Sequence, residues 1–139
     1  MKANELRIGN FVFDDENKPM KVARVETQEC TDFNGNDEFN VIIEHIDKNI
    51  GYYESKINPI PLTEEWLLMF GFKNDGNGYY KHKKLFSPIT KISDYAFSPP
   101  TSVYFLRVGD DKDEPVLKYV HQLQNLYFAL TNEELIYTP

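Results

Sequence analysis

The stretch "VLKYVHQLQNLYFALTNEEL", residues 116–135, is the most organised part of this chain. Its apolar residues recur at i, i+3, i+4 and i+7, at Leu123, Leu126, Tyr127 and Leu130. This spacing is typical of one face of an amphipathic helix, so we predict a helix that begins near His121 and packs on a sheet. Gln122, Gln124 and Asn125 fall mostly on other faces and are predicted to be ordinary exposed positions rather than a binding or catalytic surface.

The residues before this helix predict an antiparallel sheet. "SVYFLRV" (102–108) reads as a strand, and "VLKYV" (116–120) as a second strand beside it, with a solvated acidic turn at 109–115. "YYKHKKLF" (79–86) predicts another strand, and the Pro- and Ser-rich segment 87–100 predicts an irregular connection.

A second, shorter helix is predicted within "NPIPLTEEWLLMFGF", residues 58–72. Thr63 is a favourable N-cap, two glutamates follow it in the first turn, and Gly71 is a natural stop, so the helix should cover about 64–70. Trp66 is predicted to face the core of the fold, because a large aromatic side chain is usually buried. The alternative interpretation makes Trp66 an interface anchor.

The first part of the chain reads as strands separated by polar turns. Four short segments have strand character and lie close together along the sequence, at residues 6–13, 20–26, 39–46 and 50–60. Such spacing predicts a small, strongly bent sheet or barrel. The opening R-x-G-x-x-V of Arg7, Gly9 and Val12 resembles that of SH3-like barrels.

Composition changes where the helical patterns begin. Residues 1–61 carry seven positive and twelve negative side chains, whereas residues 62–139 carry eight and ten. We therefore predict an α+β protein with a β-rich part at 1–61 and a part at 62–139 that combines strands with two helices, either as two subdomains or as one compact domain.

Length and charge narrow the classes of function. The chain has 139 residues, 41% of them hydrophobic and 14% aromatic, which is enough apolar surface for a folded core. A net charge of −7 repels nucleic acid phosphates and anionic membranes, so a general DNA binder is disfavoured. The single Cys30 forms no intramolecular disulfide, and no run is long and apolar enough to be a signal core or a membrane span. We expect a cytoplasmic protein.

No motif with chemistry of its own is present. His45, His82 and His121 lie at no short ligand spacing, and the acidic loops at 32–38 and 109–114 fail the calcium-loop pattern. There is no phosphate-binding loop, dinucleotide fingerprint or nucleophile elbow, so no catalytic residue, metal or cofactor is predicted. A hydrolase whose site is assembled only by the fold is left as one alternative.

One segment is locally basic. Five lysines, interleaved with Tyr79, Tyr80 and His82, lie at Lys73, Lys81, Lys83, Lys84 and Lys91. Tyr79, Tyr80, Lys81, Lys83 and Lys84 would suit a single-stranded nucleic acid accessory module, with lysines on phosphates and rings on bases. A strand at a sheet edge protected by lysines is the favoured interpretation.

Three blocks of sequence also carry a resemblance: "KANELRIGN", "NPIPLTEEWLLMFGF" and "YVHQLQNLYFALTNEEL". Together they resemble a group of small uncharacterised proteins encoded by phages and prophages of Bacteroidetes-type bacteria. The resemblance implies a mobile-element context and carries no activity, cofactor or catalytic residue. With the composition, it predicts a non-enzymatic interaction protein that acts on a host or phage protein.

Overall fold

The computed structural model describes residues 3–31, 37–45, 51–94, 101–106 and 116–139. Its contacts group the chain into two compact units, Met1–Ile60 and Pro61–Pro139. Each unit has its own antiparallel sheet, and both α-helices belong to the second unit. The predicted α+β class with a strand-rich N-terminal part is therefore confirmed. The acidic loops at 32–38 and 109–114, whose sequences fail the calcium-loop pattern, lie largely or wholly outside the described residues.

The first unit is built on a four-stranded sheet in chain order. Its strands are β1 (Phe11–Phe13), β2 (Pro19–Thr31), β3 (Asp37–His45) and β4 (Gly51–Tyr53). Short 3-10 helices precede and follow the sheet, at Ala3–Glu5 and Glu54–Lys56. A bulge between Val22 and Arg24 interrupts the long β2–β3 ladder and bends the sheet there.

This unit is stabilised by a small apolar core and by a turn that the side chain of Asp14 holds in place. The core cluster consists of Leu6, Val12, Met20, Val22 and Ile57. Asp14 is buried between β1 and β2, and its Oδ1 accepts hydrogen bonds from the backbone N–H groups of Glu16 and Lys18 at 3.0 and 2.8 Å. A carboxylate that satisfies backbone donors in this way holds the chain in a tight turn.

The second unit is built on a five-stranded antiparallel sheet, also in chain order. Its strands are β5 (Lys73–Asn74), β6 (Tyr79–Lys81), β7 (Ile89–Asp94), β8 (Thr101–Leu106) and β9 (Val116–Leu117). The helices are α1 (Glu64–Met69) and α2 (Val120–Thr131). The predicted pairing of the last two strands is confirmed, because Leu117 lies opposite Tyr104.

Two predictions about this sheet are wrong. The segment 87–100 is not irregular throughout, because Ile89–Asp94 forms β7, the middle strand of the sheet. The strand predicted at 79–86 ends at Lys81 and lies between β5 and β7, so it is not the edge of the sheet. Pro88 and the flanking serines conceal β7 in the sequence, although a proline immediately before a strand costs no ladder hydrogen bond.

Helix α1 begins and ends where local chemistry predicts. The Thr63 hydroxyl accepts a hydrogen bond from the Trp66 N–H at 3.5 Å, and Glu64 and Glu65 occupy the first turn. After Phe70 the backbone reverses at Gly71, whose φ of +81° is a conformation that side chains with a Cβ rarely adopt.

The buried face of helix α2 matches the predicted one only in part, at Leu123 and Tyr127. Its buried residues are Val120, His121, Leu123, Gln124 and Tyr127, whereas Leu130 is 55% exposed. The helix starts at Val120, so the buried face runs through 120, 123, 124 and 127 and includes the glutamine. The prediction that the polar residues are exposed is wrong for Gln124. Gln122 has another role, because its Oε1 accepts hydrogen bonds from the backbone N–H groups of Lys118 and Tyr119 at 2.9 and 3.2 Å.

Candidate functional site

The β5–β6 hairpin places two lysines side by side in the second unit. Lys73 and Lys81 are directly paired across the two strands, and cross-strand partners project from the same face. The turn between them is held by Asp75, whose Oδ1 accepts hydrogen bonds from the N–H groups of Asn77 at 3.0 Å and Tyr79 at 3.4 Å. These bonds, formed by the charged carboxylate, lower the pKa of Asp75.

A cleft of about 660 Å³ opens beside this hairpin. We call it the lysine cleft, because four lysines line it together with three carboxylates, His82 and the apolar Phe70, Tyr127 and Ile136. The lysines are Lys73, Lys81, Lys83 and Lys84, and the carboxylates are Asp75, Glu133 and Glu134. The hairpin, the turn after β6, helix α2 and the C-terminal tail of the unit all contribute lining residues.

His82 is held between two rings of the second unit. Its imidazole lies 5.0 Å from the ring centroid of Phe72 and 5.0 Å from that of Tyr127, which it meets edge-on at 89°. Burial, with smaller contributions from the positive charges of Lys83 and Lys84, lowers the pKa of His82. The Lys84 N–H donates a hydrogen bond to Nδ1 at 3.3 Å, so a neutral His82 carries its hydrogen on Nε2.

Two of the cleft lysines are paired with carboxylates. Lys81 forms an ion pair with Asp75 at 3.5 Å, and Lys84 forms one with Glu133. The hydrogen bond and charge of Glu133 raise the pKa of Lys84. Lys73 and Lys83 are exposed, and no carboxylate of the described residues pairs with either of them. These two ammonium groups therefore remain available to a ligand.

The residues predicted to bind nucleic acid are only partly brought together. Lys81, Lys83 and Lys84 all line the cleft. Tyr79 is half-buried, and Tyr80 is 1% exposed with its ring 6.0 Å from that of Tyr104. Burial and interaction with Glu64 raise the pKa of the Tyr80 phenol. Tyr80 therefore has no ring face open for a base.

Tyr80 belongs instead to a polar cluster that ties α1 to the sheet. Asn74 donates a hydrogen bond to Glu64 at 2.9 Å and another to the Tyr80 hydroxyl at 3.3 Å. Lys91 on β7 lies 3.7 Å from the Glu64 carboxylate. Hydrogen bonds from Asn74 and Tyr80 lower the pKa of Glu64. Lys91 is thus paired with Glu64, and it does not line the cleft.

Trp66, the predicted interface candidate, is 9% exposed. Its indole lies 5.7 Å from the Phe70 ring and 5.6 Å from the Tyr137 ring. The tail that carries Tyr137 is fixed by a hydrogen bond from the Thr138 N–H to the Met69 carbonyl at 2.9 Å. The predicted placement of the indole in a core is confirmed.

Sequence reasoning missed the half of the cleft contributed by α2 and the tail. Tyr127, Glu133 and Ile136 lie about 50 positions from the basic segment that they face, and no local pattern links them. Among the residues that the structure describes, no group of three histidine, cysteine or acidic side chains is arranged to hold a metal ion.

Comparison of the chain with known protein families, curated proteins and solved structures gives no match. Within the described parts of the chain, no helix has the length and apolar character needed to cross a bilayer.

Proposed function

We propose that this chain is a non-enzymatic protein-interaction module of a phage or prophage, active in the bacterial cytoplasm, and that a host or phage protein binds in the lysine cleft. The observation that carries the proposal is the cleft itself. Its volume is in the range of ligand sites, and two of its lysines have no carboxylate partner among the described residues. The phage context follows from the resemblance of the three sequence blocks.

The chemistry of the cleft favours binding over catalysis. A hydrolytic base is usually oriented by a carboxylate or placed next to a nucleophile. Here Nδ1 of His82 accepts a backbone hydrogen bond from Lys84, and the rings of Phe72 and Tyr127 hold the imidazole. Two of the cleft carboxylates, Asp75 and Glu133, are engaged by lysines. A hydrolase is therefore the weaker alternative.

Photo-crosslinking tests the proposal at the cleft. Benzoylphenylalanine replaces Ile136, which lines the cleft and is 79% exposed, and in a matched control it replaces the exposed Ile8 of the first unit. Both proteins are irradiated in a bacterial lysate with and without nuclease, and the adducts are identified by mass spectrometry. We expect a protein adduct that forms only from position 136 and survives nuclease.

Identical adducts from the two positions would show that the cleft has no partner of its own. Adducts that disappear after nuclease would move the assignment to nucleic acid, the second candidate. That candidate is favoured by the three lysines of the predicted set that line the cleft. It is opposed by the ion pairs of Lys81 and Lys84 and by the burial of Tyr80.

A further inference from the structure

The lysine cleft carries three hydrogen-bond donors that no acceptor in the described part of the chain satisfies. Two are the ammonium groups of Lys73 and Lys83, which have no ion pair there. The third is the Nε2–H of His82, since Nδ1 already accepts the Lys84 N–H. Donors of this kind are matched by a carboxylate, which accepts several hydrogen bonds and is more strongly bound by a charged donor than by a neutral one.

The charge of the cleft limits how many negative groups can enter. Four lysines face three carboxylates, and the Lys81–Asp75 and Lys84–Glu133 pairs neutralise two of each. The other charged residues of the lining are Lys73, Lys83 and Glu134, whose charges sum to one positive charge when His82 is neutral. A single carboxylate balances this excess. A chain of phosphates would bring further negative charge toward Asp75, Glu133 and Glu134 and be repelled.

Part of the cleft wall is apolar. Ile136 lines it with 79% of its surface exposed, and the buried Phe70 and Tyr127 also line it. At about 660 Å³ the cleft is far larger than one carboxylate needs, so it can accommodate a ligand with more than an anionic group. An exposed isoleucine beside cationic donors suits a side chain that can cover it.

We infer that the lysine cleft recognises a short peptide segment in which an aspartate or glutamate adjoins an aromatic or aliphatic side chain. The carboxylate binds between the ammonium groups of Lys73 and Lys83 and the Nε2–H of His82, and the apolar side chain covers Ile136. This inference rests on the proposed function, since it names the chemistry of the partner that the cleft binds.

A display library of random heptapeptides, panned on the immobilised full-length protein, tests this specificity. Four proteins are compared: the wild type, the double variant Lys73→Ala/Lys83→Ala, His82→Phe, and the control Lys118→Ala. Lys118 is exposed, lies in the same unit and does not line the cleft. His82→Phe keeps a ring between Phe72 and Tyr127 while it removes the donor. Thermal melts establish that each variant is folded.

We expect peptides with an acidic residue next to an aromatic or aliphatic one to be enriched on the wild type and on Lys118→Ala. In fluorescence anisotropy, replacing the acidic residue of a selected peptide by its amide should weaken binding about tenfold, as the loss of charge-assisted hydrogen bonds does. Lys73→Ala/Lys83→Ala should weaken binding by at least as much. His82→Phe, if folded, should weaken it about fivefold on the same grounds.

The inference is overturned by selected peptides that lack an acidic residue, by the absence of any enrichment, or by equal affinity for the wild type and the double lysine variant. It is also overturned if a labelled oligothymidine binds more tightly than the selected peptides and loses affinity in the double variant. The two proposals can fail separately. If position 136 gives a nuclease-resistant adduct but the selected peptides lack acidic residues, the proposed function is retained and only the assignment of the ligand is wrong.

Discussion

At Gln124 the sequence periodicity predicts an exposed side chain, whereas the packing of the structure buries it. Its side chain is 1% exposed, because helix α2 starts at Val120 and turns this position into the core. We expect Gln124→Ala to lower the free energy of unfolding by about 1 to 3 kcal/mol, since it empties a buried site and removes a buried polar group. Urea denaturation measures this, with the exposed Leu130→Gln as the control expected to cost less than about 0.5 kcal/mol. Equal costs for the two variants would contradict the buried face.

The protonation of His82, which lines the cleft, makes the stability of the fold depend on pH. Burial, followed by the charges of Lys83 and Lys84, lowers its pKa in the folded protein below the usual value of about 6.5. The unfolded chain therefore takes up a proton at a higher pH than the folded chain does. The stability that His82 contributes is present above pH 6.5 and is lost as the pH falls through the folded-state pKa.

The melting temperature should consequently fall more steeply for the wild type than for His82→Phe as the pH is lowered from about 7.5 to about 5. Glu64 and Asp75, whose pKa values are also lowered, titrate below this window. The other histidines are common to both proteins and cancel in the difference. Parallel profiles for the two proteins would show that His82 does not change its protonation free energy on folding.

At the scale of elements, α1 allows the stability contributed by its N-cap residue to be compared with that contributed by its buried tryptophan. Trp66→Ala should cost about 3 to 5 kcal/mol, because the indole packs between Phe70 and Tyr137. Thr63→Ala should cost about 1 kcal/mol or less, since the capping hydrogen bond is long at 3.5 Å. Thr63→Ser, which keeps the hydroxyl, is the matched control. Chemical denaturation of the three variants gives both values, and a larger loss at Thr63 than at Trp66 would reverse the assignment.

Elements were predictable where their signals are local. The start of α1 depends on Thr63 and two glutamates within a few positions, and the structure places the helix at Glu64–Met69. Strand β7 was missed because Pro88 and serines surround it, while its support comes from β6 and β8 on either side. Its register is set by cross-strand partners such as Leu106 opposite Ile89, which no local pattern displays.

The cleft was predictable only in part, for the same reason. Its lysines cluster in the sequence between 73 and 84, so their common location followed from the chain itself. Lys84 and Glu133 are 49 positions apart, and their ion pair depends on how α2 ends against the turn after β6. The burial of Tyr80 likewise depends on tertiary packing with Tyr104, whereas its sequence suggested only an aromatic next to lysines.

At the scale of the molecule, the net charge of −7 disfavours the binding of any polyanion, and the lysines of the cleft offset this repulsion only locally. Three of the five lysines between 73 and 91 are paired with carboxylates, at Lys81, Lys84 and Lys91. With two lysines left, binding of a single strand would release about two counterions, which corresponds to a logarithmic salt slope of roughly −1.4. Such a contact is too small to overcome the repulsion from the rest of the chain.

We therefore predict no binding of short RNA or single-stranded DNA below about 10 μM at physiological salt, a value near the strong end of non-specific affinities. Fluorescence anisotropy with labelled oligonucleotides at two salt concentrations measures this directly. The triple variant Lys81→Ala/Lys83→Ala/Lys84→Ala is the comparison, and Lys118→Ala is the control for general loss of positive charge. Tight binding that weakens with salt and disappears only in the triple variant would mean that phosphates displace Asp75 and Glu133 from their lysines. The cleft would then be a nucleic acid site in spite of the charge of the whole chain.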